Sequence, residues 1–166
     1  MNLVNQLAGL LEQNAQLYEQ MCVKAEEEAR AIQTADFARL DELLKERENL
    51  ALKLRLLDEN RKSLVAKIAQ SIGKRGEEIT LGWLADIQAN ETVKAGLLAA
   101  KDRLVAASEK AKDLSDFNRR LIGRAMTTIR ESLRFASVLI GQPDTYSNGR
   151  TVAGRMPSGM MVTKAY

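Results

Sequence analysis

Val4, Leu11, Tyr18, Ala25 and Ile32 recur at every seventh position near the start of the chain, with Leu7, Met21, Cys22 and Ala29 on the adjoining stripe. Apolar residues at this spacing share one helix face, which predicts an amphipathic helix over about 2–32. Its polar side is acidic, mainly through Glu26, Glu27 and Glu28. The pattern breaks over 33–36, where Thr34 or Asp36 is suited to cap a following helix. From about 37 to 72, Leu43, Leu50, Leu57 and Leu64 form an unbroken leucine heptad, joined by Leu40, Leu44, Leu54, Val65 and Ile68. Such a seam is of coiled-coil grade. Arg47 and Arg61 interrupt the line through Leu40, Leu54 and Ile68. Their long stems are expected to cover the seam edge while the guanidinium groups reach water.

Gly73 and Gly76 end this helix in a turn. A short helix is expected near 80–89, carrying Leu81, Trp83, Leu84 and Ile87, with Trp83 plugging the end of a bundle. A third long helix then runs over about 91–140, or ~75 Å at ~1.5 Å per residue, with Gly96 and Gly123 as points where it could bend. Pro143 marks the stop, and 142–166, rich in Gly, Ser and Thr, reads as a tail disordered when free. The fold expected is all-α: three long antiparallel helices in a coiled-coil-like bundle over 1–141, one short connecting helix, and a flexible tail.

Composition narrows the function. Both prolines, Pro143 and Pro157, lie in the tail, which fits long helices before it. The chain has no histidine, which removes histidine phosphotransfer, His-containing zinc sites and His-based triads. No metal-ligand cluster or glycine-rich phosphate loop is evident, so the expectation is a protein that is not an enzyme and needs no cofactor or metal. Cys22 is the single cysteine, expected as a small apolar residue on the first helix in a reducing compartment. Basic and acidic residues nearly balance, 25 against 22, which argues against nucleic acid as partner. No apolar run approaches the ~20 residues of a membrane span, and the N-terminus lacks signal-peptide character. A cytoplasmic location is expected.

The end of the third helix is the candidate binding surface. Asn118, Ile122, Ala125, Ile129, Leu133, Ala136 and Ile140 fall on one line, and Leu114, Phe117, Leu121, Phe135 and Leu139 on a second beside it. Arg119, Arg120, Arg124, Arg130 and Arg134 lie opposite. The apolar sector covers close to half the circumference, wider than the ~100° needed to pack on one neighbour. One line can therefore pack on the bundle while the other meets a partner helix, or both can be core. Asn118 is the kind of polar seam residue that fixes register.

The stretch Asp116-Phe117-Asn118-Arg119-Arg120-Leu121-Ile122, followed by an amphipathic helix and then Tyr146-Ser147-Asn148-Gly149, resembles the C-terminal pattern of the FlgN-type flagellar export chaperones. Upstream, Phe37-Ala38-Arg39-Leu40-Asp41-Glu42-Leu43-Leu44 and Asp58-Glu59-Asn60-Arg61 are similar to that family's second-helix stretch. The resemblance covers most of 1–150. It implies a non-catalytic cytoplasmic chaperone that binds the C-terminal amphipathic helices of the hook-associated (hook–filament junction) proteins. It would prevent their premature assembly and bring them to the flagellar type III export apparatus. Carried onto this chain, Phe117, Leu121, Ile129, Leu133, Phe135 and Leu139 would bind the client, and Tyr146 would dock on the export gate. A homodimer is compatible with this reading. Two other functions fit the residues themselves: a self-associating structural coiled coil, and a basic helix that binds nucleic acid or an anionic membrane surface.

Overall fold

The computed structural model describes residues 3–140. Four α-helices follow in order: α1 (Leu3–Gln33), α2 (Phe37–Ser71), α3 (Leu81–Asp86) and α4 (Glu91–Ile140), with a single 3-10 turn at Gly76–Glu78 between α2 and α3. No strand occurs among the described residues. The three long helices lie where the apolar spacing put them. The connecting helix is shorter than the expected 80–89, because Ile87 already closes it and Gln88 turns its amide back onto the Leu84 carbonyl. The tail expected from 142 onward, Tyr146 included, lies outside the described residues.

The helix boundaries between α1 and α4 have local chemical causes. Asp36, not Thr34, caps α2: its Oδ1 accepts from the Arg39 backbone N–H at 3.0 Å. Thr34 instead donates its hydroxyl to the Arg30 carbonyl, inside the last turn of α1. Thr80 caps α3 by accepting from the Trp83 N–H, and Asn90 caps α4 by accepting from Thr92 and Val93. These side chains satisfy donors that a helix start leaves unpaired. At the end of α2, Gly73 adopts φ +68°. The Lys74 N–H then reaches back to the Ala69 carbonyl and the Gly73 N–H to Gln70, a Schellman closure.

By compactness the chain divides into a first unit, Met1–Gly123, and a second, Arg124–Tyr166. In the first unit, α2 runs antiparallel to α1 and α4, while α1 and α4 run parallel. Cross-helix contacts fix these directions: Lys24 meets Glu46 and Glu27 meets Arg39, whereas Glu19 meets Arg103 and Glu26 meets Lys110. One apolar core joins Val4, Leu7 and Leu11 of α1 to Leu64 and Ile68 of α2, Leu84 and Ala85 of α3, and Leu97 and Ala100 of α4. Burying each large side chain is worth about 1.5–3 kcal/mol. Trp83 is half-buried at the edge of this core, with the Lys74 ammonium 4.6 Å from its ring centre, while its neighbours Leu84 and Ala85 are the ones fully enclosed. Farther along, small residues of α4 let α1 approach closely: Ala107 and Ala111 are buried, and the Cys22 Sγ sits 3.8 Å from the Ala107 carbonyl.

Candidate functional site

Within the first unit, the seam of α4 runs through Leu97, Ala100, Ala107, Ala111 and Asn118, at spacings of three, seven, four and seven residues. It ends in a buried polar node. The Glu28 carboxylate of α1 accepts through Oε2 from Arg47 Nη1 of α2 at 2.6 Å and from Asn118 Nδ2 of α4 at 3.1 Å. Asn118 also donates to the Ala25 carbonyl at 2.8 Å, and Arg47 Nη2 donates to Ser115 Oγ at 2.9 Å. Three helices thus meet through four polar side chains.

Two sequence expectations change here. Glu28 was placed with Glu26 and Glu27 on a solvated acidic face, yet it is buried. The Arg47 guanidinium turns inward to Glu28 in place of water. A buried carboxylate requires a cation and donors, and Arg47 and Asn118 supply them. Asn118 is buried in the seam, as expected of a register-fixing residue. Glu28 Oε1, Arg47 Nε and Asn118 Oδ1 are buried without a protein partner. Taking the paired charges out of water offsets much of their attraction, so the node specifies register more than it adds stability. Arg61 is different: it stays at the edge and pairs with Asp58 of its own helix.

Of the residues assigned to a partner, two lie in the first unit. Phe117 is 45% exposed, and Leu121 is half-buried. The other four lie on the α4 residues of the second unit, where no described side chain is buried: Ile129 is 45% exposed, Leu133 65%, Phe135 67% and Leu139 70%. The apolar lines of 124–140 are therefore not core. Met126 belongs with them, being exposed and placed three residues before Ile129. Its spacing made it visible in the sequence, although it was not assigned there.

Among the described residues there is no group of side chains able to hold a metal ion, and no helix long and apolar enough to cross a membrane. Cys22 is buried, and burial pushes its thiol above the ordinary value, which suits packing and not nucleophilic attack. A groove of about 540 Å³ lies against α2 and α3, floored by Leu7, Val65 and Leu84. Its bordering cations are already engaged, Arg61 and Lys62 by Asp58 and Arg75 by Glu78.

The FlgN protein family matches residues 1–153. No curated protein and no solved structure matches the chain. A match that takes in every described helix leaves one conclusion: the chain belongs to the FlgN family of flagellar export chaperones.

Proposed function

We propose that this chaperone binds the C-terminal amphipathic helices of hook-associated proteins in the cytoplasm, keeps them from assembling early, and delivers them to the flagellar export gate. The observation that carries this reading is the exposed apolar face of 124–140, with Ile129, Leu133, Phe135 and Leu139 as client contacts. Phe117 and Leu121 contribute from the first unit, and Tyr146 docks on the gate. A client helix laid on this face removes apolar surface from water at roughly 25 cal/mol per Å², from which ordering costs are subtracted. Release is then left to the export machine, since the chain carries no nucleotide motif.

Titration calorimetry with the C-terminal segment of a hook-associated protein tests the reading. Saturable binding with a negative heat-capacity change is expected. Tyr146→Ala should bind this segment as the parent does and fail to support its secretion. No binding at tens of micromolar would exclude these clients, and normal secretion by Tyr146→Ala would exclude the docking role.

A further inference from the structure

We infer that the client helix carries carboxylates along both borders of its apolar line; this rests on the chaperone reading above and adds the charge class of the client. In the first unit most cations that border the helix contacts are already matched. Lys24 pairs with Glu46, Arg39 with Glu27 and Glu42, Lys110 with Glu26, and Arg103 with both Glu12 and Glu19. Residues 124–140 contrast with this. Arg124, Arg130 and Arg134 enter no ion pair among the described residues, and Glu131 is the single acidic residue there.

Their positions are informative. At 3.6 residues per turn, the apolar arc of 124–140 runs from Phe135 through Leu139, Ala125, Ala136, Ile129 and Leu133 to Met126, about 180°. The arginines read from the sequence as lying opposite fall closer to the arc: Arg124 lies roughly 20° beyond Phe135 on one border, with Glu131 roughly 20° behind it, and Arg130 roughly 40° beyond Met126 on the other, with Arg134 behind Arg130. When two helices pair through apolar lines, the bordering residues of each face those of the other and set partner choice. A guanidinium at that place binds a carboxylate with two parallel hydrogen bonds. Unmatched arginines on both borders therefore select acidic borders and repel basic ones.

The test uses the full chain and two synthetic helical peptides sharing one leucine–alanine line, bordered by glutamates in one and by lysines in the other. The acidic peptide should bind at least ~10-fold more tightly near ~20 mM salt, with the gap narrowing near ~500 mM as screening shortens. Arg124→Glu with Arg130→Glu should reverse the preference. Equal binding of both peptides, lost in Leu133→Asp with Leu139→Asp, would overturn the charge inference and leave the chaperone reading standing. Binding to vesicles of equal parts phosphatidylcholine and phosphatidylglycerol in preference to the acidic peptide would overturn it in favour of a membrane surface. Binding of the acidic peptide with no binding of the hook-associated segment would support it and count against the client identity alone.

Discussion

Arg47 shows how much one side chain can decide. Its neighbours in sequence marked it as a misfit in an apolar line, but the direction of its guanidinium depends on Glu28, nineteen residues away, and on Ser115 of another helix. Periodicity carries no information about such distant pairings. Asn118 was legible because a lone amide in an apolar seam has few uses. Glu28 was not, since a run of three glutamates reads as solvated whichever one turns inward. A sharp expectation follows for stability. Arg47→Met strands a buried carboxylate and should destabilise the protein by about 3 kcal/mol in denaturant titration. Adding Glu28→Leu to it should recover most of the loss, because both charges then leave together. A loss under ~1 kcal/mol for the single variant would mean that Glu28 finds water instead.

At the scale of elements, the three long helices followed from apolar spacing, whereas α3 is shorter than expected and its Thr80 cap and the Asn90 cap of α4 were not assigned from the sequence. The turn between α1 and α2 also departs from what its residues suggest. Ala35 sits at φ 54°, in the left-handed region that a side chain disfavours. It holds there because Asp36 N–H closes on the Ala31 carbonyl and Ala35 N–H on Ile32, the same closure that Gly73 makes for α2. Ala35→Gly should therefore raise stability by about 0.5–1 kcal/mol, the relief of strain being partly offset by a freer unfolded chain. An unchanged or lower midpoint would show that the turn is not strained. On α4, the two apolar lines could not be ranked from sequence, because a periodic stripe looks the same whether a neighbour covers it or not. The structure divides α4 along its length and not between the lines: core positions occur through Asn118, and no described side chain of 124–140 is buried.

For the whole molecule, the all-α architecture and the family were both readable, the first from proline-free apolar periodicity and the second from ordered motifs over most of the chain. The division of labour was less so. Met1–Gly123 holds the core, and α4 brings Leu133, Phe135 and Leu139 to the surface in the second unit. Substitution at Leu121, half-buried in the first unit, would confuse folding with binding. Leu133 and Leu139 avoid this, being 65% and 70% exposed. The most direct measurement is therefore calorimetric titration of the hook-associated C-terminal segment into Leu133→Asp with Leu139→Asp, beside the parent chain. Unchanged helicity and thermal midpoint with affinity reduced at least ~10-fold, equivalent to ~1.4 kcal/mol, is the expected result. Parent-like affinity in a folded double variant would contradict the assignment of 124–140 as the client-binding surface.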